Sequence, residues 1–227
     1  MKIGIISDTH NLLRPEVIQN LQGCDMILHA GDISSREILE KLRRIAPVKA
    51  VRGNNDKEWA EDLPLFLDFD LGGLRVYMAH KKKDLPGDLS PYDLVICGHT
   101  HQYAETRPES AGRRRPLLLN PGSCGPRRLM QPITLAMLTI EEGGWKVGRI
   151  SIPHTAGEKA PKMDEGNIYR QIEVIVKDTE KGLSVETIAK KRGLDPALVE
   201  QIVRLYVTHP GVTVDGIMTK LGLLGKL

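Results

Sequence analysis

Within the first 101 residues, five short apolar runs each stop abruptly at a polar cluster built from aspartate, histidine, asparagine and glycine. Lys2–Ile6 runs into Asp8-Thr9-His10 and Met26–His29 into Gly31-Asp32. Pro47–Val51 leads to Gly53-Asn54-Asn55-Asp56, Leu74–Ala79 to His80, and Leu94–Cys97 to Gly98-His99-Thr100-His101. Runs of this length and type read as strands. Helical patterns separate the first three: Pro15–Leu21, and Ser34–Arg44 with Ser34 or Ser35 as N-cap. The β-α-β-α-β order implies parallel strands with right-handed crossovers. The carboxyl ends of such strands lie side by side, so polar residues far apart in the chain are brought to one edge.

After Glu61 the rhythm changes. β-type runs follow at Leu65–Leu71, Leu74–Ala79, Leu94–Cys97, Leu117–Leu119, Ile133–Ile140 and Trp145–Ile152, separated by Gly, Pro and Asp turns. The pattern predicts two packed sheets with helices outside. Pro153–Gly166, with two prolines and two glycines, reads as a linker. Beyond it every pattern is helical. Ile168, Ile172, Ile175 and Val176 share one face, Ser184 caps a helix to Arg192, Asp195-Pro196 opens another, and a last one runs from Asp215 to Leu221. The expected division is residues 1–154 as an α/β domain, 155–166 as linker and 167–227 as a helical domain.

The longest apolar run, Ile133–Ile140, falls far short of a bilayer span, and the N-terminal apolar run ends at Ser7-Asp8. Three cysteines without a C-x-x-C pair give neither a disulfide framework nor a structural zinc knuckle. A cytoplasmic location without membrane association is therefore expected. The net charge of +3 resides wholly in residues 1–163, in clusters that include Lys81-Lys82-Lys83, Arg113-Arg114-Arg115 and Arg127-Arg128. Residues 164–227 are neutral.

Two carboxylates, an amide oxygen and four imidazoles at one sheet edge form a mixed nitrogen–oxygen donor set without thiolate. Such a set suits Mn, Fe, Zn, Co or Ni and is too rich in nitrogen for Ca or Mg. Seven donors exceed what one ion needs, whereas two ions sharing a carboxylate would use them all, at a separation of roughly 3.5–4 Å. His29 lies inside its strand and reads as a supporting residue, and His154 and His209 read as surface positions.

The ordered set D-x-H, G-D, G-N-x-D, a single His and G-H-T-H resembles the calcineurin-like metallophosphoesterase superfamily over roughly residues 2–153. Its short spacing resembles the small phosphodiesterase branch of the YfcE type, as does Asn120-Pro121-Gly122-Ser123 with Arg127. The resemblance implies a four-layer α/β/β/α sandwich with a two-metal site. Asp8, His10 and His101 would hold one ion, Asn54, His80 and His99 the other, and Asp32 would bridge them. Manganese is the first expectation, with Zn, Fe, Ni or Co also suited. A metal-bound hydroxide would attack phosphorus in line, with Asp32, Asn54, Asn55, Asp56 and His99 as candidate catalytic residues. The substrate class is a phosphodiester, a nucleotide among the candidates.

Two positions depart from the family pattern. Asn55 stands where the commonest motif has a histidine that protonates the leaving group, and asparagine supplies no proton at neutral pH. Lys81 follows His80 where glycine is frequent. Alternative readings are a non-catalytic metal-binding scaffold, as in the retromer subunit that resembles this family, and a nucleic-acid-associated regulator. Ala189, Gly193, Val199 and Ile202 have helix-turn-helix spacing. A neutral segment matches DNA poorly, so a protein contact is favoured over nucleic acid, and a homo-oligomer is compatible with the sequence.

Overall fold

The structure is a computed structural model that describes residues 1–107, 115–126, 131–153, 165–194 and 196–221. Arg113, Arg114, Arg127, Arg128, His154, most of the expected linker and the Asp195 cap lie outside the described residues. Described residues up to Pro153 belong to one compact unit and those from Glu165 onward to a second.

Among its described residues the first unit holds ten strands: β1 (Lys2–Ile6), β2 (Met26–His29), β3 (Val48–Ala50), β4 (Phe66–Leu71), β5 (Leu74–Ala79), β6 (Leu94–Ile96), β7 (Tyr103–Thr106), β8 (Leu117–Pro121), β9 (Ile133–Glu141) and β10 (Gly144–Ile152). They form two five-stranded sheets, ordered β10-β9-β1-β2-β3 and β4-β5-β6-β8-β7. In the first, β1, β2 and β3 are parallel, and the β9–β10 hairpin joins antiparallel to β1. In the second, β5, β6 and β8 are parallel and antiparallel strands flank them at both edges.

Alternation along each strand decides what lies between the sheets. Ile3 and Ile5 of β1 meet Met78 of β5, Leu94 and Ile96 of β6 and Leu119 of β8 in one buried cluster. Ile6, on the opposite face of β1, packs with Ile27 under the helices α1 (Pro15–Leu21) and α2 (Arg36–Arg43), through Val17, Leu21, Ile38 and Leu42. Burial of each such side chain contributes about 1.5–3 kcal/mol. The outer face of the second sheet is covered by Leu85, Leu89 and Tyr92, in a segment whose only helical turn among the described residues is the 3-10 turn Lys82–Asp84. The sandwich is thus α/β/β with a thin, mostly non-helical fourth layer.

The described residues of the second unit form helices only: α3 (Glu165–Glu180), α4 (Val185–Arg192), α5 (Pro196–Thr208) and α6 (Val214–Lys220). Ile168, Ile172, Ile175, Ile188, Val199 and Ile217 share a core of its own. The Ser184 hydroxyl accepts the Thr187 N–H (3.3 Å) at the start of α4, and Gly193 closes that helix at φ +61°. The buried Asp178 carboxylate accepts from Arg192 Nε at 2.7 Å and Lys191 Nζ at 3.4 Å.

Candidate metal centre

The loops after β1 and β2 run side by side, with Asp8, His10 and Asn11 N–H groups donating to the Gly31, Asp32 and Ile33 carbonyls, each at 3.0 Å. This ladder sets Asp8 and His10 beside Asp32. The loops after β5 and β6 are joined by the Gly98 N–H on the His80 carbonyl (3.0 Å), and the Asn120 amide holds Gly98 O and Thr100 Oγ1, both at 2.9 Å. The two pairs meet where the His99 N–H donates to Asp8 Oδ2 (3.1 Å). Asp8, His10, Asp32, His99 and His101 all take left-handed backbone, φ 56°, 42°, 56°, 71° and 62°, and that bend turns each side chain back over the strand ends.

Two three-residue groups result, Asp8/His10/His101 and Asp32/His80/His99, the potential ligand atoms of each lying within 4.8 Å of one another. In the first, His101 Nε2 is 3.1 Å from Asp8 Oδ1 and 3.3 Å from His10 Nε2. In the second, His80 Nε2 is 3.3 Å from Asp32 Oδ1. The other Asp32 oxygen, Oδ2, lies 3.8 Å from His10 Nε2, so this carboxylate stands between the groups.

The donor atoms fit a pair of cations. Asp8 Oδ2 is satisfied by the Ser7 hydroxyl (2.6 Å) and the His99 N–H, while the buried Oδ1 has no hydrogen-bond partner. His80 Nδ1 lies 2.7 Å from the Ala30 carbonyl, which fixes the proton there and leaves a bare lone pair on Nε2, buried and without a hydrogen bond. Burial alone would raise the Asp8 and Asp32 carboxyl pKa values, but the facing His101 and His80 outweigh it and hold both below the ordinary carboxylate value. Both acids are therefore anionic at neutral pH.

The Gly53–Asp56 turn divides its polar side chains in a way the sequence does not reveal. Asn54 is exposed. Asn55 reaches the centre, its backbone N–H on Asp32 Oδ1 (2.8 Å) and its Nδ2 on Asp32 Oδ2 (2.7 Å). Asp56, a candidate catalytic residue from its place in the motif, is buried with its carboxylate occupied by backbone: Oδ1 accepts from Ile33 (2.8 Å) and Ser34 (2.7 Å), Oδ2 from Gly53 (2.7 Å). That geometry makes it a clamp between two loops. Asp56→Asn turns an amide N–H toward a backbone donor and is expected to lower stability by about 2 kcal/mol in urea unfolding.

Ser7 and Thr9, which the motif reading passes over, also support the centre. His29 Nδ1 accepts the Gly31 N–H (3.2 Å), so its proton sits on Nε2 and donates to Thr9 Oγ1 (3.0 Å), whose hydroxyl in turn donates to Ile33 O (3.3 Å). A polar residue ending a fully buried strand is the signal that would have found them. Burial, foremost, lowers the His29 pKa from 6.5 to about 3. The unfolded chain binds this proton as pH falls through 6.5 and the folded chain does not until near 3, so the neutral ring's contribution is complete above 6.5 and is lost between those values. The expected slope is about 1.4 kcal/mol per pH unit. Urea unfolding of metal-free protein at several pH values, beside His29→Gln lacking that part of the slope, checks it.

Two aspartate–histidine groups, each able to hold a metal ion, thus lie across the strand ends of the two sheets. Residues 1–143 match the calcineurin-like phosphoesterase superfamily domain, and the chain belongs to that superfamily of hydrolases. A probable metallophosphoesterase of Methanothermobacter thermautotrophicus is 35% identical over 151 residues, covering 60% of this chain and 85% of the relative. Solved structures of the same fold include the phosphoesterase Yfce from E. coli (21% identity, TM-score 0.50, 67% of this chain and 100% of that one). Vps29 from Chaetomium thermophilum shares it too (19%, TM-score 0.52, 67% and 97%). Among the described residues no helix is long and apolar enough to cross a membrane.

Proposed function

We propose that the chain is a divalent-metal-dependent phosphodiesterase with two ions, one held by Asp8, His10 and His101, the other by Asn54, His80 and His99, with Asp32 shared. The observation that carries this reading is the Asp32 carboxylate, one oxygen facing His80 at 3.3 Å and the other facing His10 at 3.8 Å. Bound there, the ions would acidify a water and neutralise charge on the phosphoryl oxygens for in-line displacement. The protein's own part is to fix the donors: Ser7 and the His99 amide orient Asp8, Ala30 fixes the His80 tautomer, and Asn55 aligns Asp32. Manganese suits the donor set, as do Zn, Fe, Ni and Co. Residues 1–154 form the catalytic domain in this reading. Residues 167–227, joined by 155–166, are a separate helical module, and the absence of net charge over residues 164–227 favours a protein partner over nucleic acid.

The test is hydrolysis of bis-p-nitrophenyl phosphate by metal-stripped protein with Mn²⁺, Zn²⁺, Ni²⁺ or Co²⁺ added back, alongside a calorimetric titration of the metal. Metal-dependent turnover with two ions bound per chain is expected. Absence of turnover with every ion overturns the catalytic reading, and a single ion per chain overturns the shared role of Asp32.

A further inference from the structure

Asn55 and Lys81 are the two departures from the family pattern: Asn55 touches Asp32, and Lys81 opens a lysine run directly after His80. Asn55 directs both of its donors at Asp32 (2.8 and 2.7 Å) and carries no acidic proton. Lys81-Lys82-Lys83 follows directly on His80, with Lys82 and Lys83 in the 3-10 turn Lys82–Asp84 and both exposed. The Gly98 N–H on the His80 carbonyl (3.0 Å) ties the start of this run to the loop that bears His99. Leu85, just beyond it, packs on the cluster containing Ala79 and Cys97, which keeps the turn at the same sheet edge. Among the described residues, none of the three ammonium groups pairs with a carboxylate. The nearest acid in sequence is the exposed Asp84, which leaves the turn positively charged.

These two features ask the same thing of a substrate. An alkoxide is about as basic as hydroxide, whose conjugate acid has a pKa of ~15.7, and leaves slowly unless protonated. A phosphate whose second ionisation lies near pKa ~6 leaves as a stable anion without a proton, and an uncompensated cationic rim favours that anion. Resting on the phosphodiesterase reading above, we propose that the site's substrate class is the phosphoric anhydride, two phosphates joined through oxygen, with Lys81, Lys82 and Lys83 holding the phosphate that departs. Water oxygen forms a new bond to one phosphorus, and the bond from that phosphorus to the bridging oxygen breaks. The electron pair leaves on the bridging oxygen as part of the second phosphate. The two protons of water pass to solvent, and no oxidation occurs.

The experiment compares three substrates with the Mn²⁺-loaded full chain: bis-p-nitrophenyl phosphate, with an aryloxide leaving group; the dinucleotide dTpdT, with an alkoxide; and diadenosine 5′,5′-diphosphate, an anhydride. The anhydride is expected to exceed dTpdT in kcat/KM by about 10²–10⁴-fold, the range a missing general acid accounts for. Replacing all three lysines by alanine should lower the ratio of anhydride to aryl-ester turnover about tenfold, and Asn55→His should narrow the gap between aryl and alkyl esters. Calorimetry gives a second readout: adenosine 5′-(α,β-methylene)diphosphate should bind about tenfold tighter than AMP, an advantage lost in the lysine variant. Turnover of the aryl ester with anhydride and dTpdT within about threefold of each other would overturn the anhydride assignment alone. No turnover of any of the three would overturn it together with the catalytic reading beneath it.

Discussion

Asp32→Asn is expected to lower metal-dependent turnover of bis-p-nitrophenyl phosphate by about 10³-fold or more, and to weaken binding at both ion positions together. The substitution keeps the shape of the side chain and the left-handed backbone at φ 56°, which asparagine tolerates well. What changes is charge and the second acceptor. One carboxylate oxygen near His80 or His10 becomes an N–H₂, and the Asn55 amide meets a donor or must rotate. His80 also loses the facing anion that, against the effect of burial, raises its pKa. Folding should survive, which circular dichroism at matched concentration would check. Loss of binding at one position only, with turnover intact, would contradict a shared carboxylate.

Gly53→Ala should be as damaging by a steric route. A Cβ at Gly53 would stand 2.1 Å from the Asp32 backbone nitrogen and 2.2 Å from its Oδ1, closer than real atoms approach. Neither neighbour is the loose end of a flexible chain, so the Asp32 loop or the Gly53–Asp56 turn must move. The expected loss is at least about 3 kcal/mol of stability, the upper end of ordinary overpacking, with activity lost in whatever fraction folds. Gly87→Ala, where an added Cβ meets nothing within 4 Å, serves as the control. Equal urea midpoints for the two variants would show that the close approach at Gly53 is not a constraint.

The sequence carried most of the first unit. β1, β2, β5 and α1 fall on the residues that alternation and proline placement pick out, and the two-sheet reading agrees with the observed strand orders. β7 (Tyr103–Thr106) escaped because Tyr-Ala-Glu-Thr is an edge strand, largely exposed, without the apolar period that marks a buried one. The fourth layer proved thinner than the resemblance implied, because Leu85, Leu89 and Tyr92 cover the second sheet without a regular helix. At the centre, the strand-end histidines and aspartates could be read from position alone. The division of labour among Asn54, Asn55 and Asp56 could not. Three consecutive polar residues in a turn point in different directions, and only the backbone geometry decides which one meets Asp32 and which meets three amides. Ser34 or Ser35 reads from sequence as a capping side chain for α2. Ser35 holds that position, yet its hydroxyl makes no capping bond.

The left-handed backbone at the ligand positions bears on how this chain would drift. His10, His99 and His101 sit at φ 42°, 71° and 62°, a region where a residue with a Cβ is disfavoured and glycine is at ease. Relief of that strain by glycine would gain roughly 1 kcal/mol at each position. A lineage that had ceased to bind ions could collect those gains freely, and its strand ends would fill with small residues. Three imidazoles held in this conformation mark an edge where the chain forgoes stability, as the proposed ligand role would require.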